Sequence, residues 1–267
     1  MKPIKVHPLS LLAGIALAAG TFALTSMRGT DGSFIHGDVR EFLSHVSMVD
    51  LPDGQGGFNR TVRISGINVQ VVNGLGFTET LNGTGNLIVG YNEENQGGAN
   101  DRTGSHTIVG GMRNDYGSWG CLVVGYNNSV SGLFSSVSGG HESFATGPYS
   151  SVSGGTHNQA SGEYSSISGG EGNLASGEQA SVSGGEGNLA SGKGCSISGG
   201  ASNTASGRGS SVSGGQYNMA GDGSDGLSGR EGGPFGFSWV SGGQGNGAPA
   251  NWSSAIGGTG NTASGYA

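Results

Sequence analysis

The chain has 267 residues, of which 59 are glycine, 11% are charged and 33% are hydrophobic, and its formal net charge is -7. So few large apolar side chains exclude one thick globular core, and a disordered chain would show high charge and no period. A repeat fold with a thin core remains. The acidic balance excludes nucleic acid as a partner, because phosphate binding needs clustered Lys and Arg.

The N-terminus predicts export. Lys2 and Lys5 form a positive start, an apolar stretch follows from Leu9 to Leu24, and cleavage is expected after Ala23. The alternative is an uncleaved membrane anchor, but about 16 residues are short for a span. Residues 1–23 are therefore interpreted as a signal peptide. No later segment is apolar enough to cross a membrane, so the sequence predicts a secreted or cell-surface protein.

The segment before the repeats predicts a cap that contains a β-hairpin. Residues 38–49 carry apolar side chains at helical spacing, whereas residues 45–51 alternate as a strand does, so both interpretations stay open. A turn is predicted at Pro52-Asp53-Gly54. Residues 60–64 and 67–72 are predicted strands. This segment is expected to close the N-terminal end of the repeats, because repeat proteins need a cap.

From Ser135 onward the chain repeats with a period of 15 and the consensus S-S-V-S-G-G-x-x-N-x-A-S-G-x-x. Three columns recur in step. The branched apolar column contains Val137, Val152, Ile167, Val182, Ile197 and Val212. The small apolar column contains Ala145, Ala160, Ala175, Ala190 and Ala205. The asparagine column contains Asn158, Asn173, Asn188, Asn203 and Asn218.

This spacing predicts a parallel β-solenoid. A coil of this length holds two short strands and two turns, with the branched residue and the alanine pointing inward. One coil cannot bury its inner face alone, so coils stack into a narrow continuous core. The Gly-Gly and Ser-Gly pairs permit turns that β-carbons would obstruct. Asparagine tolerates left-handed backbone and can form an amide ladder along the axis.

The branched column extends beyond the strict repeats. We assign to it Ile88, Ile108 and Val123 upstream, and Val240 and Ala255 downstream. The residue after the column points outward and is serine in the middle coils. It is apolar near the ends, where it is Val89, Val109, Val124 and Ile256. Apolar outward residues need a cover, which is either an oligomer interface or a packed loop or cap.

The predicted domains follow from these boundaries. They are a signal peptide at residues 1–23, a capping and β-hairpin segment at 24–85, and a repeat domain of about eleven coils at 86–267, with insertions at 93–104 and 221–238. Cys121 and Cys195 occupy the same repeat position five coils apart, about 24 Å along the axis. Because a disulfide needs Cα atoms within about 7 Å, no intrachain bridge is expected.

The repeats resemble the heads of trimeric autotransporter adhesins, the YadA-like heads. The matching segments are residues 121–125 (CLVVG), 254–257 (SAIG) and 263–265 (ASG), with a looser match at 136–139 (SVSG). The resemblance covers about residues 86–267. It implies a left-handed β-roll of 14–15-residue coils, a side-by-side homotrimer, and adhesion to host or matrix surfaces.

The N-terminal part resembles a module of an uncharacterised family of secreted bacterial surface proteins with SVSGG repeats. The segments that carry this resemblance are residues 64–76 (ISGINVQVVNGLG) and 85–93 (GNLIVGYNE). In such proteins the module often follows a coiled coil, which is consistent with a trimer.

No catalytic, cofactor-binding or metal-binding residues are predicted. His141 and His157 are expected to be a solvated pair on adjacent coils, and Glu171 and Glu186 a solvent-facing ladder. The repeat lacks the recurring aspartate that calcium-binding repeats use. No Gly-Lys-Ser/Thr follows the glycine pairs, as a phosphate-binding loop requires.

The sequence therefore predicts a non-catalytic structural or adhesive protein whose ligand, if any, is a surface glycan or matrix component. The first alternative is an ice- or polysaccharide-binding solenoid, based on the Ser-x-Ser ladder at 136/138, 151/153 and 166/168. A carbohydrate-active β-helix enzyme is a further alternative, but it would need clustered carboxylates near one coil. Both insertions are expected to leave the solenoid as loops.

Overall fold

The computed structural model describes residues 36–94, 100–221 and 237–264. They belong to two units, one ending at Val69 and the other beginning at Gln70. The predicted signal peptide and most of the second predicted insertion lie outside the described residues.

The first unit consists of a short helix and a β-hairpin. Helix α1 spans His36–Ser44, and strand β1 (Val46–Pro52) pairs antiparallel with β2 (Phe58–Ile64). The helical interpretation therefore holds for residues 38–44, and the extended interpretation holds for residues 46–51. The predicted strand at residues 67–72 is wrong, because this segment is not extended into a strand and pairs with none of the strands in the described residues.

The turn of this hairpin is closed by Asp53. Its Oδ1 accepts hydrogen bonds from the backbone N–H groups of Gln55 and Gly57, both at 2.8 Å. These two bonds lower the pKa of the Asp53 carboxyl below its ordinary value. The predicted turn is thus confirmed.

The second unit is a parallel β-solenoid with two sheets. Among the residues that the structure describes, the eleven strands of sheet one are β3 (Leu87–Val89), β4 (Ile108–Met112), β6 (Leu122–Tyr126), β8 (Ser136–Val137), β10 (Ser151–Val152), β12 (Ser166–Ile167), β14 (Ser181–Val182), β16 (Ser196–Ile197), β18 (Ser211–Val212), β20 (Trp239–Val240) and β22 (Ser254–Ala255). In the same described part of the chain, the nine strands of sheet two are β5 (Asp115–Tyr116), β7 (Ser129–Val130), β9 (Phe144–Ala145), β11 (Gln159–Ala160), β13 (Leu174–Ala175), β15 (Leu189–Ala190), β17 (Thr204–Ala205), β19 (Met219–Ala220) and β21 (Gly247–Ala248).

Every strand of the repeats pairs with the equivalent strand of the next coil. Val152, for example, lies opposite Val137 on one side and Ile167 on the other. A third ladder of single bridges runs from Tyr126 through His141 to Thr259. The predicted parallel β-solenoid is confirmed, and within the described residues nine coils contribute a strand to both sheets.

In the described coils from β8 to β20, the second glycine of the Gly-Gly pair is required by geometry. Gly170 has a φ of +90°, and a β-carbon there would lie 2.1 Å from the carbonyl oxygen of Gly185. At Gly169, the first glycine of the same pair, a β-carbon would meet nothing within 4 Å. In this pair only the second glycine is therefore sterically obligatory.

The register of the first coils differs from the predicted one. Val109, not Ile108, continues the inward column: it lies opposite Val123 and is 0% exposed, whereas Ile108 is 50% exposed. From Val109 to Val123 and on to Val137 the repeat length is 14 rather than 15. Counting back 15 residues from Val123 leads to Ile108, whereas the actual step of 14 leads to Val109. Ile88 pairs with Val109 but remains half-exposed at the end of the sheet.

Residues just before the first strand attach to the solenoid through polar groups. The Asn86 side chain donates to the Gly104 carbonyl at 2.9 Å and accepts from the Thr107 N–H at 2.8 Å. The Gly83 N–H donates to the Thr103 carbonyl at 2.9 Å. These bonds satisfy backbone groups of the first coil that no strand pairs with.

Candidate functional site

The predicted inward columns form the core of the solenoid. The described branched residues Val137, Val152, Ile167, Val182, Ile197 and Val212 and the alanines Ala145, Ala160, Ala175, Ala190 and Ala205 are at most 1% exposed. Because all of these side chains are enclosed, they hold the coils together and leave the outer surfaces to meet ligands or partners.

The asparagine column is a continuous hydrogen-bonded ladder inside the coils. The Asn173 Nδ2 donates to the carbonyls of Gly169 at 3.1 Å and Gly185 at 3.0 Å, and to Asn158 Oδ1 at 3.1 Å. The Asn173 N–H also donates to Asn158 Oδ1, at 3.0 Å. The same pattern recurs at Asn188, Asn203 and Asn218.

Two expectations about this column need correction. In the 15-residue coils the left-handed residue is the one before the asparagine, such as His157 with a φ of +56° or Ser202 with +54°, whereas in the ladder outside those coils Asn92 itself has a φ of +42°. Asn92 and Asn128 were not predicted from the sequence, but they are buried in the same ladder. The shorter ladder step from Asn114 to Asn128 was the signal that locates Asn128.

The outer face of sheet one changes character along the axis. In the six coils from β8 to β18, the residues on either side of the inward one are serines: Ser136, Ser138, Ser151, Ser153, Ser166, Ser168, Ser181, Ser183, Ser196, Ser198, Ser211 and Ser213. In the first three strands the corresponding residues are Leu87, Val89, Ile108, Leu122 and Val124, with Gly110 beside Ile108. We call these five side chains the apolar patch.

The apolar patch is open to solvent. Leu87, Val89 and Ile108 are 49%, 64% and 50% exposed, and Leu122 and Val124 are half-buried. At the other end of the sheet Ile256 is 74% exposed. Val109, which was expected to belong to this outer set, faces the core instead. Contiguous exposed apolar side chains of this kind mark association surfaces.

His141 and His157 lie together and share a carboxylate. His141 Nε2 is 3.2 Å from Glu142 Oε1, and His157 Nε2 is 2.5 Å from Oε2. Hydrogen bonds from the Asn127 amide and from His157 lower the pKa of the Glu142 carboxyl. The imidazoles are about half exposed. In the part of the chain that the structure describes, no three His, Cys, Asp or Glu side chains are arranged to hold a metal ion.

Glu171 and Glu186 are adjacent bridge residues of the third ladder, and both are exposed. This is the solvent-facing arrangement that the sequence predicted for them.

The two cysteines are buried free thiols in one interior column, each directly before a strand of sheet one. Burial raises the pKa of both thiols, that of Cys195 to about 11. Few thiolates form at neutral pH under these conditions, so neither cysteine is suited to nucleophilic chemistry.

Asp115 has a carboxyl group with a raised pKa, and the sequence did not identify it as a candidate. It points outward from β5, and its Oδ1 is enclosed without a hydrogen-bond partner. Desolvation raises the pKa of this carboxyl to about 6, and the neighbouring Arg102 opposes the rise. No repeat pattern marks Asp115, because residues 100–104, which lie beside it, belong to an insertion.

The chain matches no protein-family model and no curated protein. Among the described residues, no helix has the length and apolar character needed to span a bilayer.

Proposed function

We propose that the chain is a non-catalytic structural or adhesive protein of the cell surface or the secreted fraction, and that it works as a homotrimer. The observation that carries the proposal is the apolar patch, which lies in register with the serine-lined face of the following coils. Clustered exposed apolar residues favour association, whereas the serine face of the middle coils favours solvent. The resemblance to adhesin heads supports three copies arranged around one axis.

The hairpin of the first unit supports self-association as well. One face carries Met48, Phe58 and Val62, which are all more than half exposed. An isolated two-stranded hairpin is only marginally stable in water and needs a packing partner. Identical faces from other copies supply such a partner in a closed oligomer.

Light scattering on the purified mature chain tests the homotrimer. The sharpest variant is Leu122→Ser with Val124→Ser, which gives the third strand the outward serines found at Ser136 and Ser138. We expect the parent chain to have three times the monomer mass and the variant to dissociate with an unchanged circular dichroism spectrum. Phe144→Gln is the matched control, because it removes an outward apolar residue of sheet two and installs the residue of the next coil, Gln159.

Adhesion is tested by binding the trimer and the dissociated variant to immobilised glycans and matrix proteins. Three copies raise the effective affinity of a weak site, so the trimer should be retained and the variant lost. A parent chain that is monomeric at micromolar concentration contradicts the trimer. A trimer that binds no surface contradicts adhesion and leaves a structural role.

The serine-lined face favours a second candidate, an ice- or polysaccharide-binding solenoid. Successive coils place its hydroxyls in register at intervals of about 4.8 Å along the axis. Within the described coils, the hydroxyls of Ser196 and Ser211 bond to each other at 3.1 Å. Thermal hysteresis and co-sedimentation with insoluble polysaccharide test this candidate. Ser151→Lys with Ser166→Lys should abolish either activity while leaving the trimer intact.

A further inference from the structure

One corner of the coils carries an exposed aromatic column formed by Phe134, Tyr149 and Tyr164, one residue from each of three successive coils. The ring centroids of Tyr149 and Tyr164 are 4.9 Å apart and their planes differ by 7°. The rings of Phe134 and Tyr149 are 5.7 Å apart at 13°. The two tyrosines are therefore stacked face to face.

The backbone fixes this spacing. The Tyr149 N–H donates to the Leu133 carbonyl at 2.7 Å, and the Tyr164 N–H donates to the Pro148 carbonyl at 3.0 Å. Two residues further on, Ser151 and Ser166 are paired in register. The phenols are thus held as neighbours by the solenoid itself and do not depend on their own ring contact.

Both phenols are accessible to a reagent, since Tyr149 is 46% and Tyr164 52% exposed. The same corner position is Phe134 in the coil before and Gln179 in the coil after. Neither of those side chains is a phenol. The column therefore contains a single reactive pair.

We propose that Tyr149 and Tyr164 are a site of oxidative cross-linking, at which a peroxide-dependent one-electron oxidant joins them as dityrosine across adjacent coils. The oxidant removes one electron and one proton from each phenol. The two radicals form a carbon–carbon bond between positions ortho to the hydroxyls, and each ring regains aromaticity when the hydrogen on that carbon moves to oxygen. The two electrons and two protons reduce one peroxide to two waters.

The geometry favours this pair over other exposed tyrosines. Tyr91 is 92% exposed and Tyr217 59%, but neither stacks on another tyrosine in the described part of the chain. Their coupling requires an encounter between two chains. Groups already held in contact react as though at a far higher concentration. The resulting bond adds a side-chain cross-link between two coils that are otherwise joined only by the chain itself and by non-covalent contacts, whatever the protein binds.

The test is oxidation of the folded chain at micromolar concentration with peroxide and a haem peroxidase, followed by proteolysis and mass spectrometry. We expect a cross-linked peptide pair containing Tyr149 and Tyr164, lighter than its two components by two hydrogen atoms, together with dityrosine fluorescence. Tyr149→Phe should abolish the product, and the Phe134 of the preceding coil shows that phenylalanine fits the position. Tyr217→Phe is the matched control and should leave the yield unchanged.

Free tyrosine in a parallel reaction reports that the oxidant is active. If free tyrosine couples while the Tyr149–Tyr164 pair does not, the proposal is overturned. It is equally overturned if Tyr91 or Tyr217 cross-links between chains and the stacked pair gives only singly oxidised products.

Discussion

The coils of residues 108–130 differ from those of residues 135–220 in length and in what fills them. The first group has a repeat length of 14 and the second a repeat length of 15. The inward position of sheet two holds Tyr116 and Val130 in the first group, but alanine in the second. The same stacked architecture therefore accepts side chains of very different volume at this column.

The shorter coils have one residue fewer between the inward residue and the glycine that meets a carbonyl: Val124 alone separates Val123 from Gly125, whereas Ser153 and Gly154 separate Val152 from Gly155. A β-carbon added at Gly125 would lie 2.4 Å from the carbonyl oxygen of Gly140, and one added at Gly155 would lie 2.1 Å from the carbonyl oxygen of Gly170. In both coil lengths the carbonyl of the residue before that glycine accepts a hydrogen bond from the ladder asparagine: Val124 from Asn128 at 2.9 Å, and Gly154 from Asn158 at 3.0 Å. The short coils thus keep both contacts of this turn with one residue fewer.

The outer faces of the two groups differ in the same way. The shorter coils and β3 carry the apolar patch, and the longer coils carry the serines. The inward columns maintain one fold along the axis, while the outward positions are free to differ. This separation allows one end to serve association and the middle to remain solvated, as proposed.

The largest expected effect comes from the glycine pair. Gly170→Ala places a β-carbon on a neighbouring carbonyl and a side chain on left-handed backbone, so it should lower the free energy of unfolding by on the order of 4 kcal/mol. Gly169→Ala, one residue away, should cost less than about 1 kcal/mol. Urea unfolding followed by circular dichroism measures both. Equal losses of unfolding free energy in the two variants would show that the contact of Gly170 with the neighbouring carbonyl does not set its cost.

The asparagine ladder should give the next largest effect. Asn173→Ala removes the acceptor of the Asn188 N–H and the donor to two carbonyls, which should lower the free energy of unfolding by about 3 kcal/mol.

Asn173→Ser is the matched variant, because Ser143 already fills this position in one coil and accepts from the Asn158 N–H at 3.3 Å. We expect the serine to recover about half of the loss, since its hydroxyl keeps one link of the ladder. A serine variant as unstable as the alanine variant would contradict the ladder as the source of stability.

The smallest expected effect concerns Asp115, in the first group. Its pKa is raised from 3.8 to about 6, so the folded state retains a proton that the unfolded state has lost. Stability should therefore fall as pH rises from about 4 to about 6 and stay level above that. Asp115→Asn should remove this slope and stabilise the fold at pH 7 by about 1 kcal/mol, after allowance for partial exposure.

Thermal unfolding from pH 4 to pH 8 measures this prediction. Glu163→Gln, which alters an exposed carboxylate of the middle coils, is the control and should keep the slope of the parent chain. A slope that survives in the Asp115→Asn variant would assign the pH dependence to another group.

The sequence by itself determined the class of fold and the inward columns of the middle coils. A period of 15 with valine, alanine and asparagine in step leaves stacked parallel coils as the arrangement that buries every repeat equally. It also located the hairpin turn, because Pro52, Asp53 and Gly54 act through local geometry.

Only the tertiary structure decided the register of the first coils, since the shorter repeat there moves the inward position from Ile108 to Val109 and reverses which side chain is buried. It alone showed which glycine touches a neighbouring carbonyl, that residues 67–72 find no strand partner, and that Tyr149 and Tyr164 stack. Each of these depends on contacts between coils, which are separated in sequence and meet only when the chain is wound.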